Sequence, residues 1–283
     1  MDTRATTGFQ NASHYDKHRP SYFPEAVESL LSHLKLNGVK NAQVIDLASG
    51  TGKFTELLAR REEDYEIIAI EPHEEMREQL AKKALKRVEV RDGGAVNMNI
   101  EDDWGDGLIA AQAFHWFATR EALREIHRVL KPGASLGLIW NIEDYNAPLE
   151  WECRSKWEQT LKDIINSFED GHPRFRHLVW KQAFEKQTET TPLQTLKDTF
   201  SSNFPDFSLP IGEEDIHWTV YLSDEAIWDR YRSLSMIANA KGERLEEVKK
   251  EVFEALKGDE VERNSAGEVT LHGRTHLVWT SRV

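Results

Sequence analysis

The stretch VIDLASGTGKFT, residues 44–55, is the feature that most constrains the fold of this chain. A short apolar run opens into a turn that contains Gly50 and Gly52, and the next apolar run, residues 67–70, ends at Glu71. This order is typical of a βαβ unit that binds the adenosine part of a nucleotide-like cofactor. Turn glycines let the backbone approach the ligand, and an acid after the second strand accepts hydrogen bonds from ribose hydroxyls.

Two other glycine-rich turns fit this stretch less well. A phosphate-binding P-loop requires a glycine where Leu47 stands and a serine or threonine where Phe54 follows Lys53. A dinucleotide-binding turn requires a third glycine where Thr55 stands. The P-loop is therefore excluded, whereas a nicotinamide dinucleotide is disfavoured and stays an alternative.

The negative charge of Asp46 favours some of the remaining candidate ligands over others. A carboxylate at the end of the first strand repels a pyrophosphate and suits a cationic ligand, so we expect Asp46 to lie near a ligand amine. At this point the stretch resembles motif I of the class I S-adenosylmethionine-dependent methyltransferases. Ala48 stands where that family usually has glycine, and alanine does not easily adopt a positive φ.

The resemblance continues in the family's order over about half of the chain. Its later motifs are IEP at 70–72, DGGA at 92–95, AQAFHWF at 111–117 and RVLKPGA at 128–134. Residues 12–24 resemble the N-terminal segment of a small-molecule branch that includes trans-aconitate methyltransferase and fungal cantharidin-resistance methyltransferases. Val96 departs from the pattern, because the family usually has an acid after the alanine of the third motif.

The resemblance implies S-adenosyl-L-methionine as the cofactor and a set of residues that bind it. These residues are Tyr15, Arg19, Tyr22, Asp46, Ala48, Ser49, Gly50, Gly52, Glu71, Pro72, Met76, Gly94, Ala95, Gln112 and Ala113. Within the set, Arg19 is expected either to pair with the cofactor carboxylate or to hold the N-terminal segment by a salt bridge.

His115 is the candidate catalytic residue, since it follows the predicted fourth strand at the sheet edge where α/β proteins bind ligands. Its usual pKa suits a general base. The alternatives are a contact with the substrate or a purely structural role. We expect Trp116, Trp140 and Tyr145 to contact the substrate with it.

The amino-acid composition limits the kinds of partner and the cellular location that we expect for this chain. The 36 basic and 49 acidic residues leave a net charge of −13, which disfavours a nucleic acid. The histidines lack the spacing of a metal site, so we expect no metal. The single cysteine, the absence of an apolar run of about 20 residues and the polar N-terminus predict a cytoplasmic protein without a membrane segment. The oligomeric state is not indicated.

Alternation of strands and helices predicts an α/β fold, namely a Rossmann-like, seven-stranded, mostly parallel sheet with one antiparallel strand and a helical cap insertion. The predicted strands are 43–47, 66–70, 87–91, 108–112, 135–140, 215–222 and one within 268–282. Residues 149–202 and 224–240 are predicted to be helical. We expect one domain over 1–283, with its core at about 38–142 and 203–283 and the cap at about 143–202.

The expected function is methyl transfer to a small organic acceptor, preferably at the oxygen of a carboxylate or a hydroxyl. Two alternatives stay open. One is a cofactor-binding protein of the same fold without methyl transfer, and the other is carbon methylation of a quinone-like substrate.

Overall fold

The computed structural model describes residues 21–168, 173–188 and 205–283. The described residues fall into two compact units. The first unit comprises Asn141–Leu178 and Asp215–His276, and the second comprises Tyr22–Trp140, Val179–Glu214 and Leu277–Val283. A single domain with its cap at about 143–202 stays a prediction.

Seven strands form one sheet in the order β3-β2-β1-β4-β5-β7-β6. The strands are β1 Gln43–Leu47, β2 Glu66–Ile70, β3 Val88–Arg91, β4 Gly105–Ala111, β5 Leu130–Glu143, β6 Gly212–Leu222 and β7 Val269–Ser281. The pairs β1–β2, β2–β3, β1–β4 and β4–β5 are parallel, so their carboxyl ends lie at one edge. The predicted Rossmann-like sheet is confirmed.

Side-chain contacts identify β7 as the antiparallel strand. Ser135 in β5 contacts Ser281, and Asn141, further along β5, contacts Thr275, which comes earlier in β7. Residue numbers therefore increase along β5 while those of the contacting residues in β7 decrease, as in an antiparallel pair.

The helices around the first strands begin and end close to the bounds that apolar spacing predicts, 24–34, 54–60, about 74–85 and 121–130. The described helices are α1 Pro24–His33, α2 Lys53–Ala59, α3 Glu74–Lys82, α4 Arg120–Val129, α5 Lys156–Asn166, α6 Gln182–Glu185, α7 Asp224–Arg232, α8 Ser235–Ala238 and α9 Glu243–Ala255. Strands β1 and β2 are buried from their second residues onward, as expected for a parallel sheet covered on both faces.

Strand β5 begins earlier than predicted. The Lys131-Pro132-Gly133 sequence predicts a loop between helix and strand, yet α4 ends at Val129 and β5 starts at Leu130. Leu130 pairs with Gly105 of β4, and the register then shifts before Gly107. Pairing with a neighbouring strand thus replaces the predicted turn.

Two helical predictions are also wrong in extent. Residues 224–240 form two helices, because Leu234 adopts an extended ψ of 131° and the Ser233 hydroxyl donates to the carbonyl of Arg230. Within the described part of 149–202, helix α5 and the short α6 are joined by single 3₁₀ turns and irregular chain. Of its aromatic residues, Trp157 and Phe184 lie in these two helices, whereas Phe175 and Trp180 lie in 3₁₀ turns.

None of the helices in the described ranges combines the length and the apolar character that crossing a membrane requires.

Candidate functional site

The loop after β1 contains residues with positive φ and is hydrogen-bonded to the neighbouring strand β2. The Ser49 amide donates to the carbonyl of Ile70 at 3.0 Å, and the Gly52 amide donates to the carbonyl of Ser49 at 2.9 Å. Gly50 has φ +57° and Gly52 has φ +84°. A Cβ on Gly52 would lie 2.2 Å from Leu80 Cδ1, so helix α3 packs directly against this glycine.

Ala48 adopts the conformation that its sequence position makes costly. Its φ is +58°, a value that alanine adopts only at an energetic cost, so the fold holds Ala48 in a strained conformation. Gln112 after β4 has a φ of +59°. Each such residue costs about 1–2 kcal/mol. Residues with positive φ thus follow two adjacent strands at the same sheet edge.

Glu71 connects the glycine loop to the start of helix α3. Its Oε2 accepts the Gly50 amide at 2.9 Å, and its Oε1 accepts the His73 amide at 2.9 Å. Burial raises the pKa of this carboxyl, while the two backbone donors lower it. Each carboxylate oxygen has a second lone pair, so Glu71 is able to accept ribose hydroxyls while holding the loop.

Asp46 lies fully buried at the end of β1. Its Oδ2 accepts the Thr55 hydroxyl at 2.6 Å, and its Oδ1 has no hydrogen-bond partner among the described residues. Burial raises the pKa of Asp46 to about 7, with a smaller contribution from the nearby Glu71. A buried acceptor of this kind fits a ligand that brings its own positive charge, such as the ammonium or sulfonium group of S-adenosylmethionine.

Residues around the second and third strands meet the glycine loop. The buried Met76 places its Sδ 3.9 Å from the position of a Cβ on Gly50. Arg77 donates to the carbonyl of Glu71 and forms a 2.9 Å ion pair with Asp92. The ends of β2 and β3 are thus tied together beside the loop.

The turn after β3 lies against β2. Gly94 and Asn97 exchange two backbone hydrogen bonds, and Ala95 lies half-buried between them. A Cβ on Gly93 would lie 3.1 Å from Ile70 Cγ2, so Gly93 makes the close approach to the strand.

The chain turns sharply at the end of β4. The Gln112 amide donates to the carbonyl of Ile139 in β5 at 2.8 Å. Ala113 is buried and begins the 3₁₀ turn Phe114–Trp116, which carries His115. The predicted cofactor contacts Gln112 and Ala113 thus lie at the same edge as Asp46.

His115 contacts two tryptophans. Its Nδ1 accepts a 3.2 Å hydrogen bond from Nε1–H of Trp140, which is fully buried in β5. Its ring lies 5.0 Å from the ring of the half-buried Trp116, and Trp140 packs 4.9 Å from Trp180. The second unit thus has an aromatic cluster around His115, namely Trp116, Trp140 and Trp180.

The remaining predicted residues are spread over the chain. Tyr22 is buried with its ring 5.1 Å from Phe54, the first apolar residue of α2. Pro72 lies half-buried directly after Glu71. Tyr145 belongs to the first unit, where it is fully buried with its ring 5.3 Å from Tyr231. The other two predicted residues, Tyr15 and Arg19, lie outside the described residues.

Three residues of the site were missed by sequence reasoning. Thr55 orients Asp46, Arg77 ties two loops and Trp180 supports Trp140. Thr55 shows a recognisable signal, because a hydroxyl in the first turn after a glycine loop points back toward the strand. The other two depend on contacts between elements that no local pattern reveals.

A glycine loop, the buried Glu71 after β2 and the buried Asp46 at the end of β1 lie at the carboxyl ends of adjacent parallel strands, an arrangement typical of nucleoside-cofactor sites. A methyltransferase-domain profile matches residues 45–138, which span these features. The chain belongs to the class I S-adenosylmethionine-dependent methyltransferases, and its cofactor is S-adenosyl-L-methionine.

Relatives support this assignment. An uncharacterized methyltransferase of Schizosaccharomyces pombe is 34% identical over 194 residues, which cover 66% of this chain and 76% of the relative. An uncharacterized methyltransferase of Mycobacterium tuberculosis is 32% identical over 221 residues, 78% of this chain and 73% of the relative. A demethylmenaquinone methyltransferase of Thermotoga maritima is 38% identical over 102 residues, 36% of this chain and 44% of the relative.

Solved structures share the fold at low identity. Phosphoethanolamine N-methyltransferase 2 of Haemonchus contortus has a TM-score of 0.50 and 12% identity, covering 99% of this chain and 58% of that chain. The MccD protein has a TM-score of 0.51 and 16% identity, covering 92% and 97%.

Proposed function

We propose that this methyltransferase acts on a small, partly apolar organic molecule and methylates an oxygen of a carboxylate or a hydroxyl. The observation that carries the proposal is the aromatic cluster around His115 beside Gln112. The half-buried Trp116 and His115 thus offer one apolar and one polar ring, with Trp140 and Trp180 buried behind them, which suits an organic acceptor better than a highly charged polymer.

The protein's own residues divide the task between binding and alignment. We propose that Glu71 holds the ribose hydroxyls while Asp46 faces the amine of the cofactor. Gly50, Gly52, Met76 and Ala95 shape the surface for the nucleoside. The cofactor supplies an activated methyl group on sulfonium sulfur, and the residues after β4 orient the acceptor and exclude water.

Carbon methylation of a quinone-like acceptor is the second candidate. The named activity of the Thermotoga maritima relative favours it, although that similarity covers only 36% of this chain. The net charge of −13 disfavours a nucleic-acid acceptor, and the single cysteine supports a cytoplasmic location.

Two measurements test the proposal. Calorimetric titration with S-adenosylhomocysteine is expected to show binding that Glu71→Ala abolishes. Glu89→Ala, which removes an exposed acid paired with Arg91, is the matched control and is expected to bind normally. Transfer of a labelled methyl group is then measured with matched carboxylic acids, phenols and naphthoquinols. Transfer to naphthoquinol carbon alone would replace oxygen methylation with the second candidate.

A further inference from the structure

The chain that follows the turn after β3 is held through its backbone by two side chains of helix α4. The Met98 amide donates to Oε1 of Glu125 at 2.8 Å, and Nη1 of Arg128 donates to the carbonyl of Ile100 at 2.8 Å. Residues 98–100 come directly after the turn at 94–97, whose ends exchange two backbone hydrogen bonds. Helix α4 thus fixes the chain where this turn ends.

Glu125 and Arg128 also fix each other. Nη2 of Arg128 donates to Oε1 of Glu125 at 2.8 Å, and Nε of Arg128 donates to Oε2 at 2.8 Å. Two hydrogen bonds between charged groups restrict both side chains to one geometry. The hydrogen bond from Arg128 holds the pKa of Glu125 below its usual value. The carboxylate therefore stays ionised and presents a fixed acceptor to the Met98 amide.

Helix α4 is a rigid support for this pair. The residues of its apolar face have no exposed surface, namely Ala122, Leu123, Ile126 and Val129. Its last residue is followed directly by β5 at Leu130. A shift of the helix would disrupt close packing against the sheet, so the position of the Glu125 carboxylate is set by the core.

The turn after β3 lies where the proposed placement of the cofactor puts the base. The strands are adjacent in the order β3-β2-β1, with Glu71 after β2 and Asp46 at the end of β1. The base and the amino-acid part leave the ribose ring on opposite sides. With the ribose at Glu71 and the amine at Asp46, the base therefore extends toward the carboxyl end of β3.

We propose that Glu125, paired with Arg128, is a positioning residue for the base of the cofactor, because it holds the chain that fixes the turn at 94–97. Both side chains act through the backbone of residues 98–100 rather than by touching the cofactor. The inference rests on the proposed function, in which Glu71 holds the ribose and Asp46 faces the amine. Loss of the Glu125 carboxylate weakens recognition of the base and leaves recognition of the ribose and the amino-acid part unchanged.

Two ligands isolate the contribution of the base. S-adenosylhomocysteine contains the base, the ribose and the amino-acid part, whereas S-ribosylhomocysteine lacks the base. Calorimetry with the first ligand, and its displacement by the second, give both affinities for the full chain. In Glu125→Ala the affinity for S-adenosylhomocysteine is expected to fall about tenfold, and that for S-ribosylhomocysteine is expected to change less than about twofold.

Two further variants separate this role from a general loss of stability. Glu125→Gln retains an oxygen that accepts the Met98 amide, so its affinity for S-adenosylhomocysteine is expected to fall less than about threefold. Glu121→Ala removes an exposed acid from the first turn of the same helix and is expected to bind both ligands as the wild type does. Equal losses for both ligands in Glu125→Ala, or no loss for either, would overturn the proposal.

The wild-type protein provides an independent measurement. Amide hydrogen exchange in a peptide covering residues 93–101 is expected to slow with saturating S-adenosylhomocysteine and to stay unchanged with saturating S-ribosylhomocysteine. Equal protection by the two ligands would overturn the proposal, because the base would then not contact this turn. Absence of S-adenosylhomocysteine binding in folded wild-type protein would instead refute the proposed function, and the inference with it.

Discussion

Thr55 donates its hydroxyl hydrogen to one carboxylate oxygen of Asp46 at 2.6 Å, and the other oxygen of Asp46 is buried without a partner among the described residues. The fold therefore holds a carboxyl group that gains little from ionisation until a cation arrives. The pKa of Asp46 is accordingly raised to about 7 by burial.

This carboxyl makes stability depend on pH. Between about pH 4 and pH 7 the folded chain keeps a proton on Asp46 that the unfolded chain has lost, so the free energy of unfolding falls as pH rises through this window. Asp46→Asn removes the effect. We expect the variant to gain on the order of 2–4 kcal/mol relative to wild type between pH 4 and pH 7, measured by urea unfolding. Thr55→Val removes the hydrogen bond that lowers the pKa of Asp46, so the free energy of unfolding is expected to fall further as pH rises. A pH-independent difference between wild type and Asp46→Asn would contradict the prediction.

The same carboxyl is expected to make cofactor binding depend on pH. An ammonium group binds the ionised form of Asp46. Below about pH 7, the affinity for S-adenosylhomocysteine is therefore expected to decrease, approaching about a tenfold loss for each pH unit. Adenosine has the same nucleoside and lacks the amino-acid part, so its affinity is expected to change much less. Calorimetry with both ligands at pH 6 and pH 8 checks the difference. Parallel losses for the two ligands would place the amine away from Asp46.

Alanine substitutions at two glycines with similar backbone angles distinguish the cost of backbone strain from the cost of a packing clash. Gly52 has φ +84° and faces Leu80, whereas Gly38 has φ +78° and no atom of the described residues within 4 Å of the point that a Cβ would occupy. Gly38→Ala is expected to cost about 1 kcal/mol from backbone strain alone. Gly52→Ala adds a clash and is expected to cost about 3 kcal/mol or more, with loss of S-adenosylhomocysteine binding. Similar unfolding free energies in the two variants would show that α3 moves aside freely.

Ala48 is expected to be improved by the residue that its φ favours. Ala48→Gly relieves the cost of φ +58°, offset in part by the greater freedom of glycine in the unfolded chain. We expect a net gain of about 0.5–1 kcal/mol in the free energy of unfolding. Ala81→Gly, at an exposed position in helix α3, is the control and is expected to lose about 1 kcal/mol. A loss in both variants would show that the loop does not strain Ala48.

Local patterns were sufficient for the first half of the fold. Strands β1 and β2 match their predicted bounds because each is a short apolar run with clear turn residues on both sides. The positions of the glycine loop and of Glu71 were predictable as well, because each directly follows one of these two apolar runs. Their positions in the chain place them at one sheet edge in any parallel βαβ unit.

Other features depend on partners that are distant in sequence. The early start of β5 at Leu130 depends on its pairing with Gly105, and His115 contacts Trp140, which lies 25 residues later in the chain. Such contacts carry no signature in a window of neighbouring residues.

Glu71 accepts the amides of Gly50 and His73, so hydrogen bonds within the chain hold the loop in place. The encounter with the cofactor therefore involves little ordering of the chain at this loop. We expect a single fast association phase there, and differences in affinity among nucleoside analogues are expected in their dissociation rates.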